Sequence, residues 1–185
     1  MHNSDIQLYD TVVTRFTNDT WNQNRMWREK NGLSNGCIYN AVGPLPISIG
    51  QTPNVFVVEM NNEQNDIIGI GLIKNRLCLK KHEVYRENRY NYFTYKSNYR
   101  ISSRLFDELF TDTELVQIDN LRKYLFTGYS HLKRGTGYSK LPEKIVYKPG
   151  KKIAEYEIEN VYTILFMSAF KRYYKTIAKD DLNRC

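Results

Sequence analysis

The run from Asn54 to Ile73 constrains this chain most. Asn54-Val-Phe-Val-Val-Glu-Met60 is rich in β-branched and aromatic residues, which suit a pleated surface. Asn61-Asn-Glu-Gln-Asn-Asp66 supplies a polar turn, and Ile67-Ile-Gly-Ile-Gly-Leu-Ile73 reads as the returning strand, so the segment predicts a β-hairpin. Gly69 and Gly71 stand two apart, hence on one face of the second strand. Glycine inside a strand marks a bulge, a barrel bend or a close backbone approach. The rest of the fold has to be built around this hairpin.

Upstream, Ile6 to Phe16 carries Thr11-Val-Val-Thr14 at its centre and predicts a first strand. Thr17-Asn-Asp-Thr20 offers N-cap chemistry for a short helix through Trp21 to Lys30, closed by Asn31-Gly32. Gly36 to Gly50 reads as irregular, because Pro44 and Pro46 forbid a regular helix or a central strand. Downstream, Arg89 to Ile101 is expected to be extended. From Ser102 the period switches: Leu105, Phe106, Leu109 and Phe110, then Leu115, Ile118, Leu121 and Leu125, have helical spacing. Thr111-Asp-Thr-Glu114 matches a capping box, and Gly128 is a plausible helix stop. Lys144 to Lys148 suggests a short strand. Residues 153 to 178 then predict a long amphipathic helix with Ile158, Val161, Tyr162, Leu165, Ala169, Tyr173 and Ile177 on one stripe. Strands dominate the first half and helices flank or follow them, an α+β pattern on a chain of 185 residues, long enough for one well-buried domain.

Charge is segregated along the chain. From Lys74 to Arg104 nine Lys/Arg face Glu83 and Glu87, and from Arg122 to Lys152 nine face Glu143 alone. These stretches carry +7 and +8, while the remainder nets −8, so the formal +7 conceals strong patterning. The first stretch also holds Tyr85, Tyr90, Tyr92, Phe93, Tyr95 and Tyr99. Cations that reach phosphates, interleaved with rings that stack on bases, suit single-stranded or locally opened nucleic acid. In His131-Leu-Lys-Arg-Gly-Thr-Gly-Tyr-Ser-Lys140 the glycines would let backbone N–H groups approach an anion that Lys133 and Arg134 help neutralise.

Several chemistries find no foothold. No Walker A sequence, no dinucleotide-binding glycine loop and no Glu-x-Lys nuclease core is present. Cys37, Cys78 and Cys185 share no pairing-like or zinc-like spacing; Cys78 in Arg76-Leu-Cys-Leu-Lys80 reads as a strand residue, and a reducing compartment follows as the simpler expectation. No cofactor or metal is expected. The N-terminus lacks the features of a secretory signal, and Val161 to Phe170 is half a bilayer span, so the expected localisation is intracellular with no membrane partner.

The order of these pieces resembles the PUA-like group of small barrels, nearest to its EVE and YTH branches. The matching run is Ile47-Ser-Ile-Gly50, Val55-Phe-Val-Val-Glu59 and Ile67-Ile-Gly-Ile-Gly-Leu-Ile73, with Gln51 where an acid is usual. Leu132-Lys-Arg-Gly-Thr-Gly-Tyr-Ser-Lys-Leu-Pro142 is similar to the late basic segment that ends in a strand and a proline. The resemblance spans roughly residues 6 to 148. It implies a small PUA-like mixed β-barrel over residues 1–150, flanked by helices, with residues 151–185 as an added C-terminal helix packed on the same domain. It also implies recognition of a flipped, often modified, base in an aromatic pocket with cationic grips on the flanking backbone. On that expectation Trp21, Trp27, Tyr39 and Asn40 are the pocket residues. Lys74, Arg76, Arg100, Arg104, Lys133, Arg134 and Lys140 are the backbone contacts.

Two rival readings come from other classes. A nucleic-acid- or nucleotide-processing enzyme would be built around His131 and the basic glycine loop, although no carboxylate pair or metal-ligand spacing supports it. A structural or interaction protein, viral on its Asn-, Lys-, Tyr- and Ile-rich composition, would dock a partner through the C-terminal helix. The leading expectation is a non-catalytic module that binds RNA or DNA.

Overall fold

In the computed structural model, which describes residues 9–142, 145 and 160–174, the hairpin lies at the centre of a mixed α+β domain. Strands β3 (Asn54–Asn61) and β4 (Asp66–Lys74) pair antiparallel as expected, with a bulge at Glu59/Met60 where Ile68 drops out of register. Strand β1 (Tyr9–Phe16) runs parallel to β3, reached through helix α1 (Asn18–Lys30) and strand β2 (Cys37–Ala41). After β4 the chain forms β5 (Phe93–Ser97), β6 (Tyr99–Ser102), the short α2 (Phe106–Leu109), α3 (Asp112–Phe126), β7 (Tyr138–Lys140) and α4 (Val161–Tyr173). One sheet has the order β6-β4-β3-β1-β7; β2 and β5 form a second, two-stranded sheet.

Four expectations change here. Among the described residues the strands close no ring, so the expected barrel is represented by an open five-stranded sheet with a two-stranded sheet packed beside it. The segment 36–50 is not irregular throughout: β2 fits ahead of Pro44 and Pro46, where it pairs with β5 and needs no N–H from either proline. The extended stretch 89–101 splits, because β5 pairs with β2 while β6 pairs with β4. Cys78, expected in a strand, lies in the irregular segment after β4, and its sulfur is engaged in a disulfide. The expected strand 144–148 falls outside the described residues apart from Ile145, as do residues 6–8 of the first strand.

Burial explains the apolar run that opened the sequence. Every residue of β3 is buried, and its side chains alternate between two cores. Phe56, Val58 and Met60 join α3 and α4 on one face; Val55 and Val57 join Val12, Ile38, Tyr39 and Tyr95 on the other. Both helix caps read from the sequence form: Thr17 and Thr20 at α1, and Thr111 and Glu114 at α3, make reciprocal capping boxes. Helix α4 begins at Val161 behind Asn160, an extended N-cap whose side chain accepts from the backbone N–H groups of Tyr162 and Thr163; residues 153–159 and 175–178 of the expected long helix fall outside the described residues. Its buried side is Tyr162, Leu165, Phe166, Ala169 and Phe170, with Tyr173 left partly exposed. Beyond its end, Tyr174 reaches the edge strand: its hydroxyl accepts from Arg100 N at 2.9 Å and donates to Arg100 O at 3.0 Å. Among the described residues no helix is long and apolar enough to cross a membrane.

Candidate nucleic-acid interface

Helix α1 does not dock through an apolar stripe. Its two buried residues are Asn24 and Arg28, the latter 4% exposed. Asn24 donates to Ile38 O at 2.7 Å and to the Tyr85 hydroxyl at 3.3 Å; Arg28 donates to Asn24 Oδ1 and to the carbonyls of Ser34 and Gly36. Beneath the helix, Arg100 forks onto Glu59, Nη2 to Oε2 at 2.7 Å and Nε to Oε1 at 2.9 Å, with both groups buried. Burial works against the Arg100 charge, but Glu59 beside it holds the guanidinium pKa above its ordinary value. Tyr39 donates to Glu59 Oε1 at 2.7 Å. The strand glycines make room for this network: a Cβ on Gly71 would lie 2.0 Å from the Tyr39 hydroxyl, and one on Gly69 would lie 2.5 Å from Arg100 Nη2.

These contacts redistribute the expected site. Tyr39 is a core residue and no pocket wall. Arg100 is spent on Glu59 and is no free backbone contact. Trp21 and Trp27 are both half-buried: Trp21 meets Phe16 edge-on and has the Arg28 and Arg100 guanidinium groups 5.1 and 5.0 Å from its ring centroid, whereas Trp27 packs edge-on against His82. Lys74 donates to Asn54 Oδ1, Lys133 to Asn65 Oδ1, and Lys140 pairs with Asp10 at 2.8 Å. Arg76, Arg104 and Arg134 are exposed. His131 accepts from Lys133 N through Nδ1 within its own turn, and among the described residues no group of three His, Cys, Asp or Glu is placed to hold a metal.

What the fold does bring together is Asn40 and the basic glycine loop. A cavity of about 180 Å³ is lined by Asn40, Asn62, Tyr85 and Tyr90, by Arg15 through Thr17, and by Gly135-Thr136-Gly137. Asn40 is 9% exposed; its Nδ2 donates to His82 O at 2.7 Å and to Asn91 Oδ1 at 3.0 Å, which fixes the amide, while its buried Oδ1 finds no donor among the described residues. Asn62 repeats the pattern: Nδ2 donates to Lys133 O, and its buried Oδ1 has no partner among the described residues. Tyr85 and Tyr90 meet edge to face with centroids 6.2 Å apart, and the Arg89 guanidinium sits over Tyr90. Arg15 secures the loop, donating to Leu132 O, Gly137 O and Ser139 Oγ. Gly135 and Gly137 take φ of +102° and +69°, a conformation that side chains disfavour.

Sequence reasoning missed Arg15, Asn62, Tyr85 and Tyr90 as members of one site. The two tyrosines stood out only as part of a charged, aromatic stretch, and nothing local marks Arg15 as the clamp of a loop more than a hundred residues away. Comparison with known proteins finds no matching family model, no matching curated protein and no matching solved structure.

Proposed function

We propose that this chain is a nucleic-acid-binding module of PUA-like type that takes a single unpaired or flipped base into the cavity between Asn40, Asn62, Tyr85 and Tyr90. The observation that carries this reading is the lining of that cavity, where Asn40 and Asn62, each with a buried side-chain oxygen that finds no donor among the described residues, stand beside Tyr85 and Tyr90. An acceptor left without a donor costs about 1–3 kcal/mol, and the Nδ2 bonds of Asn40 stop its amide from turning away. An amino or imino N–H on a base edge would supply the missing donor, and Asn62 Oδ1 offers a second acceptor for such an edge. The cavity is smaller than the roughly 300–1,000 Å³ of drug-sized sites, a size suited to one planar ring system. Tyrosine faces give sequence-tolerant stacking, and the exposed Arg134 supplies a cation for the flanking phosphates, whereas Arg89 over Tyr90 is already paired with Glu87.

The test is fluorescence anisotropy with single-stranded RNA, single-stranded DNA and duplex across a salt series. Single strands should bind with a steep salt slope. Tyr90→Ala should weaken binding about tenfold with the slope unchanged, since a base stack is lost but no phosphate contact. Arg134→Glu should flatten the slope. Binding that is weak to every form, or flat in salt, would remove this function, and an unaltered affinity in a folded Tyr90→Ala protein would remove this cavity from it.

A further inference from the structure

A second cavity, of about 590 Å³, lies where α1 meets the β6 edge, and it shares no lining residue with the base cavity. On α1, Trp21, Arg25 and Arg28 follow the i, i+4, i+7 spacing of one helix face. From the other side come Ile68, Arg100 and the Ser102-Ser103-Arg104 run. Four arginines line this space against Glu29 in the wall and Glu59 beneath it, a surplus of two positive charges.

The surplus can be assigned to particular side chains. Arg25 pairs with Glu29 at 3.2 Å, and Arg100 pairs with Glu59. Arg28 is 96% buried, yet the hydrogen-bond partners of its Nε and Nη1, Asn24 Oδ1 and two backbone carbonyls, are all uncharged. Burial, with Arg100 acting in the same direction, pulls its pKa below the ordinary arginine value, and nearby Glu59 offsets this only in part. Arg104, exposed at the rim, has no carboxylate partner among the described residues. A buried cation whose Nε and Nη1 bond only neutral groups is an arrangement that an incoming anion improves. Planar guanidinium forks match phosphate oxygens in pairs, and Ser102, Ser103, Asn35 and Gln64 add neutral donors around them. The volume is that of a nucleotide-sized ligand.

The geometry points to a second ligand site here, one that takes a phosphate-bearing anion of up to nucleotide size, with its phosphate held by Arg28 and Arg104. This site stands independently of the base cavity and can fail separately from it.

Trp21 reports on it directly. In a Trp27→Phe background of the full chain, Trp21 is the sole tryptophan, and its emission is followed while inorganic pyrophosphate or ADP is titrated in. Both should give a saturable change, and Arg104→Glu, an exposed substitution, should weaken it at least tenfold at an unchanged melting temperature. Arg28→Lys keeps the charge but loses the fork and should weaken both ligands too. Adenosine and citrate, one without phosphate and one offering only carboxylates, should not saturate. Tyr90→Ala should leave pyrophosphate binding intact. The proposal is overturned if neither probe saturates at millimolar concentration, if adenosine or citrate matches ADP, if Arg104→Glu binds as the parent does, or if Tyr90→Ala abolishes the response.

Discussion

Glu59 is the residue on which the polar interior converges. It is 1% exposed and accepts from Arg100 and Tyr39, and two glycines on the neighbouring strand leave the space it occupies. Removing one member of a buried pair leaves the other charge uncompensated, a larger loss than the pair's net contribution. Glu59→Gln keeps the shape and an acceptor oxygen but takes away the counter-charge of Arg100. Urea unfolding at neutral pH should show a loss of about 3 kcal/mol. A loss below about 1 kcal/mol, the range of an exposed pair, would show that the interior tolerates Arg100 alone. The spacing of Gly69 and Gly71 was legible in the sequence as a place of close approach; that Tyr39, Glu59 and Arg100 fill it was not, since they come from three separate strands.

At the scale of elements, legibility followed locality. The hairpin, the Thr17 N-cap, the Thr111–Glu114 capping box and the amphipathic pattern of α3 are written in residues a few positions apart, and all of them form. Strand β2 escaped because Pro44 and Pro46 colour the whole loop, although neither lies inside the strand. The division of 89–101 into β5 and β6 depends on which distant strand each half meets. Helix α1 misleads for a different reason. Its two tryptophans dominate its hydrophobicity, yet the buried side is Asn24 and Arg28, and no search for apolar periodicity can find a helix docked through polar groups. The candidate site divides the same way. Asn40 and the glycine-bearing basic loop were visible one by one, whereas Arg15 and Asn62 join them through the pairing of β1 with β3 and β7, and Tyr85 and Tyr90 through the segment that Asn24, Asn40 and Asn91 tie down.

For the whole molecule, the sheet sandwiched between two cores ties stability to buried hydroxyl and thiol groups. Burial pushes the Cys37 thiol from 9.0 up to about 12, and raises the phenol pKa values of Tyr39, Tyr85 and Tyr138. These groups are neutral when protonated, and the folded chain holds their protons more tightly than the unfolded chain does. Their contribution is therefore complete below the ordinary thiol and phenol values and is lost as pH climbs through the raised ones. The urea midpoint should be insensitive to these groups up to pH 9.0 and fall progressively from there toward about 12; a midpoint level across that window would contradict their burial. The sheet's two margins carry a different consequence. An unpaired strand edge is a template on which another chain can add. At one margin β7 is only three residues long, and at the other the Tyr174 hydroxyl occupies both the N–H and the C=O of Arg100, as the next strand would. Tyr174→Phe keeps the ring and frees that edge, so it should speed concentration-dependent light scattering on incubation while barely moving the melting temperature; a solution that stays as clear as the parent would rule this out. One phenol oxygen thus stands guard against self-association, a task that in most sheets falls to charge, proline or a covering loop.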